Sequence, residues 1–407
     1  MAGMPESPTA FTREQGRALV RAVFAIFFVN GVMMGAWGGS LPGLRERVGA
    51  DAGGIGAVLL VTGASAIVSM QIGGRVSDRI TPRLPSLVSG VAMAAAVGLL
   101  AFVPNYVALV LAGALIGASN GTMDVAMNAL GIDAEKASGI PTMSRFHAFF
   151  SLGGFVGAVI VVAFARLQDD ADPRSALIVI AVAALLALAA LLARTPKAPH
   201  DDAGAQATDE ADVSASAKAT GIPPQAWLLG VMALFFGFTE GTAIDWASIH
   251  VTDVAKVDAG TGAAGLVAVS ATMVVIRLVG DALVRRYGRV AVVRFGAPVA
   301  VAGFAVTVVA SSLPVILAGW LLVGLGVGMI APQIYAIAGH IGGGRVLAIV
   351  TGFGYTAFLA GPGVIGYLSS HFDIQRAMLL PLVAGLLLTA LTFTPALRDP
   401  QDERVGA

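Results

Sequence analysis

Twelve times along this chain a stretch of about twenty residues passes with almost no charge. Nothing else in the sequence restricts its fold so strongly. A helix of that length crosses a hydrocarbon core of about 30 Å, and lipid accepts backbone only as helices or closed barrels. The runs are too long and too continuous for barrel strands. Hydrophobic residues make up 57% of the 407 positions and charged residues 12%, too little charge to cover a water-soluble surface. The fold class predicted is an all-α membrane protein.

The predicted spans run from Ala18 to Leu41, Gly54 to Gly74, Leu84 to Val103, Tyr106 to Ala129, Phe146 to Ala165 and Ser175 to Ala193. The second six run from Ala226 to Ile249, Thr261 to Val284, Val290 to Ser311, Pro314 to Ala338, Val346 to Ser370 and Ala377 to Phe393. Between the sixes lies KAPHDDAGAQATDEADVSASAKATGIPPQ, polar and nearly free of large apolar groups. Such a segment cannot bury enough surface to fold alone. The expected organisation is therefore an N-terminal bundle (1–195), a flexible cytoplasmic linker (196–225) and a C-terminal bundle (226–407). The first span lacks a small-residue cleavage site and is expected to be retained.

An even number of spans puts both ends of the chain on one side. Of the 25 Lys and Arg, eighteen fall on that side, six on the other, and Arg277 inside a span. The bias predicts cytoplasmic termini. Net charge is zero, which favours no nucleic-acid partner, and the absence of cysteine removes thiolate chemistry and cysteine metal sites. No nucleophile–base pair or metal-ligand cluster is visible, so neither an enzyme, a metal nor a cofactor is expected.

The two sixes repeat one another. FFSLGGFVG (149–157) lies over FLAGPGVIG (358–366), and NGVMMGAW (30–37) over EGTAIDW (240–246), at offsets of about 209. SDRITPR (77–83) lies near VRRYGR (284–289) at a similar offset. Two halves in the same orientation form a parallel repeat about an axis normal to the membrane, a transporter pattern.

The segment GGRVSDRITPR, after the second span, resembles the Gly-x-x-x-Asp-Arg-x-Gly-Arg signature of the major facilitator superfamily. Gly74, Asp78, Arg79 and Arg83 match, while Thr81 and Pro82 stand around the place of the second Gly. The second copy, GDALVRRYGR, keeps Arg286, Gly288 and Arg289 but has Arg285 at the Asp position. DVAMNALG, MSRFHAFFSLGG, EGTAIDW and RLVGDALVRRYG resemble more narrowly a bacterial inner-membrane branch near the fucose permeases. The resemblance implies two pseudo-symmetric six-helix bundles. Spans 1, 4, 7 and 10 would line a central cavity, and spans 2, 5, 8 and 11 the seam between bundles. It also implies alternating access in a multi-pass protein of the bacterial inner membrane, expected as a monomer, and brings no substrate with it.

Several polar residues fall on those spans. Glu240 is expected within roughly 3 Å of the midplane at 1.5 Å per residue, where an ionised group costs at least about 2.5 kcal/mol. A carboxyl able to hold or release a proton suits proton coupling, and Glu240 is expected to face a wet cavity. Asp245, about 140° around the helix from it, is either a second cavity group or a solvated edge residue beside Trp246. Asp124 and Asn128 share a face four residues apart. Asn30 and Trp37, the repeat partners of Glu240 and Trp246, join Gln333 and Tyr335 as groups able to bind a sugar or polyol. Each could equally be glue between helices. Arg277 and Asp281, also four apart, are expected to pair at the seam. Asp78, Arg79 and Arg83 are expected to dock on the opposite half when the inner side shuts, with His147 near the same gate. The functional expectation is a proton-coupled secondary transporter, a symporter, of a sugar-like or polyol small molecule. Drug or metabolite efflux by the same fold, and a non-transporting membrane sensor or scaffold, are the alternatives.

Overall fold

The structure, a computed structural model, describes residues 13–139, 142–168, 172–196 and 222–397. Twelve helices are long and apolar enough to cross a membrane: α1 (Glu14–Val48), α2 (Ala52–Ser77), α3 (Arg83–Leu100), α4 (Tyr106–Ser138), α5 (Arg145–Gln168), α6 (Arg174–Arg194), α7 (Pro224–Ala255), α8 (Ala259–Gly280), α9 (Arg289–Val309), α10 (Leu313–Gly342), α11 (Arg345–His371) and α12 (Ile374–Leu391). All but the ends of the expected linker lie outside the described residues. The spans turn tightly, with polar caps at several starts. Asp51 accepts the amide of Gly54 at the head of α2, Asn105 that of Ala108 before α4, and Asp258 that of Thr261 in α8. Gly139 closes α4 at φ 70°, a left-handed turn open to glycine.

The pairing of helices repeats between the halves. In the first, α1 packs on α5, α2 and α3 on α4, and α3 on α6; in the second, α7 packs on α11, α8 and α9 on α10, and α9 on α12. The close approaches repeat as well. A Cβ on Gly117 would stand 1.9 Å from the carbonyl oxygen of Thr62, and one on Gly324 2.2 Å from that of Val269. Both residue pairs are separated between halves by the same 207 positions. Bare backbone there lets the helices touch, the small-residue packing of membrane bundles.

Two features depart from twelve uniform rods. Span α10 breaks at Gly328 and Met329, between the helices Leu313–Val327 and Ile330–His371. The second of these carries helical hydrogen bonding through the α10–α11 junction, yet the Tyr335 hydroxyl lies against Gly354. Residues nineteen apart in a straight helix would stand about 28 Å from one another, so the chain doubles back between α10 and α11.

The halves meet at the face opposite the chain ends. There Arg45, ending α1, forms a two-bond ion pair with Asp253 of α7, one bond measuring 2.6 Å. Gly56 of α2 packs on Gly366 of α11, and Gly260 of α8 on Ala165 of α5. The α2–α11 contact persists to mid-depth, where Gly63 meets Leu359. Beyond it, one and two turns along the same α11 stripe, Tyr355 is 46% exposed and Gly352 has open space beside it. The seam is shut at the far face and parted toward the face that carries the chain ends.

Candidate functional site

Glu240 sits halfway along α7, the most buried of the spans, and is only 7% exposed. The sequence led us to expect a carboxylate facing a wet cavity; here it is buried and has a cationic partner. One oxygen accepts a hydrogen bond of 2.9 Å from Nη2 of Arg277 on α8. Arg277 therefore partners a different helix; the side chain of Asp281, with which it was expected to pair, lies outside the described residues. Its Nε–H donates to the carbonyl oxygen of Gly328, 3.0 Å away, at the break in α10. Nη1 donates to the hydroxyl of Ser151 on α5.

One guanidinium thus gathers four helices. The break in α10 leaves a carbonyl without its helical donor, and Arg277 supplies one, so that irregular backbone at membrane depth is satisfied inside the protein. A charged pair at such depth is tolerated only when both partners and their remaining polar atoms are bonded. Losing either partner would leave a buried charge alone.

The other predicted residues divide between this node and elsewhere. Tyr335 on α10 is half-buried and within electrostatic reach of Glu240. Gln333, expected in the cavity, is instead buried, its side-chain oxygen taken by Arg289 of α9 at 2.9 Å. Asp124 and Asn128 do share a face: the Asn128 amide donates to the Asp124 carbonyl at 2.8 Å and to its carboxylate at 3.3 Å. Both are half-buried, and Tyr355 of the opposite half stands within electrostatic reach of Asp124.

Asn30 is buried with its amide nitrogen 3.6 Å from the sulfur of Met127, while its amide oxygen has no partner among the described residues. Trp37 is buried in the core. Asp245 is half-buried and has neither ion pair nor hydrogen bond among the described residues. His147 is exposed, its ring edge-on to Phe27.

Arg83 binds its own half: Nε donates to the Thr195 carbonyl at 3.0 Å and Nη2 to that of Leu192, at the end of α6. With the seam parted on that side, it holds two orphan carbonyls of a helix end instead of the opposite bundle. The side chains of Asp78 and Arg79 lie outside the described residues.

Two polar features were not anticipated. Ser151 was read as part of a repeat, and nothing in FFSLGG marks its hydroxyl as the receiver of a guanidinium from the other half. His250 is fully buried, taking the indole N–H of Trp320 on Nδ1 at 3.3 Å and facing the Thr307 carbonyl with Nε2 at 3.2 Å. This is a closed structural cluster joining α7, α9 and α10.

Known proteins share this architecture. Uncharacterized transporter y4wD of Sinorhizobium fredii is 30% identical over 374 residues, 91% of this chain and 96% of the relative. The crystal structure of a mutant of the nucleoside transporter NupG superposes with a TM-score of 0.73 at 14% identity, over 92% of this chain and all of that one. An inward-facing bacterial homologue of the human lysosomal transporter Spinster gives 0.70 at 13% identity, over 96% and 99%. At such identities the structures establish the fold alone. A family model described as Major Facilitator Superfamily matches residues 23–343. By that match and by its full-length relative, the chain belongs to the Major Facilitator Superfamily of membrane transporters.

Proposed function

We propose that this transporter moves a small, sugar-like or polyol molecule by alternating access, coupled to protons through Glu240. The carrying observation is the Glu240–Arg277 pair at mid-depth, bonded to the break in α10 and to the opposite half. A carboxylate held by an arginine can exchange that partner for a proton, and each choice leaves a different set of bonds around Arg277. A ligand shifts a conformational equilibrium only by binding one state better, and a proton on Glu240 meets that condition. Discontinuous helices near mid-depth mark substrate and ion sites in many transporters. The neutral hydrogen-bonding groups of Asn30, Asn128 and Tyr335 suit hydroxyls.

In this reading both termini are cytoplasmic, following the Lys and Arg distribution, and the parted seam is the cytoplasmic entrance. Arg45–Asp253 closes the outer face. Asp78, Arg79 and Arg83 close the inner one in the opposite state, Arg83 then leaving the end of α6. A single copy of the chain suffices.

The test begins with a thermal-shift screen of purified protein against sugars, polyols, nucleosides, organic acids and cationic drugs. Hits then enter liposome uptake under an imposed pH gradient. Glu240→Gln is expected to lose proton-driven accumulation and keep part of the substrate exchange. Unchanged accumulation would reject the proton role, and exclusive stabilisation by cationic drugs would favour efflux.

A further inference from the structure

Arg277 belongs to the C-terminal half, yet one of its bonds ends in the N-terminal half. Its receiver, Ser151, lies on α5, which runs beside α8 along the seam. The Ser151 hydroxyl donates to the His147 carbonyl, one turn back, at 3.1 Å. Its proton is therefore committed, and its oxygen is left to accept from the guanidinium. The other seam contact described at this depth, Gly63 on Leu359, is apolar. The charged bridge Arg45–Asp253 sits at the far face, at the last turns of α1 and α7.

We propose that Ser151 is a positioning residue for transport: it ties Arg277 to the N-terminal half, so that a change at Glu240 is felt at the α5–α8 seam. This rests on the reading of Glu240 as the coupling carboxyl. With Glu240 charged, Arg277 is fixed by three partners on three helices, and the halves are joined at mid-depth in the state described. Loss of that charge releases one arm of the fork and weakens the other two. Among the described residues, the titratable groups facing the node are Glu240 from α7, Tyr335 from α10 and His147 from α5, the last within electrostatic reach of Arg277. Each could answer to pH, so the test separates them.

The chain has no cysteine, so introduced pairs report alone. Spin labels at Leu84→Cys and Tyr287→Cys, both exposed and in different halves at the terminal face, measure how far the seam is parted. With Ser151 in place the long distance should dominate at neutral pH. Ser151→Ala should raise the ratio of short to long distances about tenfold, the effect of losing one charge-assisted hydrogen bond. Ser151→Thr keeps the hydroxyl and should restore the original ratio. Alanine is a good helix former, so the melting temperature of the alanine variant should hold.

An alanine variant with the parent distribution, or a threonine variant shifted as far as alanine, would overturn the proposal. Acidification provides the separate control. The parent should respond, and Glu240→Gln should not. A response that survives Glu240→Gln would reject the coupling reading, leaving the alanine–threonine comparison to decide the role of Ser151.

Discussion

Asn30 and Glu240 occupy matching places in the two halves, one on α1 and one on α7, and they solve opposite problems. Asn30 is neutral and buried, with a sulfur as its one neighbour in hydrogen-bonding range among the described residues. Glu240 is charged and equally deep, but a guanidinium from the next helix offsets it. No arginine stands at the corresponding place in the first half, where the same offset of 207 positions puts Met70 on α2. The repeat has kept the backbone, but the buried ion pair stands in the C-terminal half, while Asp124, a span carboxylate of the N-terminal half, is met by the amide of Asn128. In the proposed mechanism the wall around Asn30 stays neutral, Glu240 is the switch, and Ser151 is where the N-terminal half touches the charged pair.

The largest effect should come from breaking the charged side. Arg277→Gln leaves Glu240 buried without a cation, at a cost of about 3–5 kcal/mol, read as a lowered melting temperature in detergent and lost transport. The double variant Glu240→Gln/Arg277→Gln should recover most of that stability and none of the proton coupling. If the single variant melted like the parent, the pair would not be what holds the charge at this depth.

A smaller effect should come from charging the neutral side. Asn30→Asp places a carboxylate beside Met127, where the Asn30 amide oxygen has no partner among the described residues, costing at least about 2.5 kcal/mol. Melting should fall at neutral pH and recover partly in acid, where the new carboxyl can be neutral. A variant as stable as the parent at neutral pH would mean that the two walls are equally hydrated, and the asymmetry would lose its meaning.

The spans and the repeat were legible because hydropathy is additive along a helix and needs no knowledge of neighbours. Their ends were read short for a physical reason. α1 was expected to stop at Leu41, yet it continues to Val48, carrying Arg45 and Arg47 with it. Both charges are met by partners from other segments, Asp253 for Arg45 and Asp172 for Arg47, so the helix need not end where charge begins. Glu240 stood out as a carboxylate in an apolar run, but its partner did not. Periodicity names neighbours four residues away on one helix, which is why Asp281 was paired with Arg277. Contacts between helices depend on packing, and no spacing rule in the chain encodes them. The free carbonyl at Gly328 did have a signal that was passed over, since Pro332, four residues on, has no N–H to donate to it; GLGVG was read only as a small-residue face.

The account turns on whether Glu240 takes up a proton inside the folded transporter. Infrared difference spectroscopy of the reconstituted protein, stepped from neutral to acid pH, observes that event without any substrate. A protonated-carboxyl stretch should grow in the parent, and one component of it should be lost in Glu240→Gln, the rest coming from other carboxyls such as Asp124 and Asp245. The same band at full strength in both proteins, or no such band in the parent, would contradict the proposed coupling.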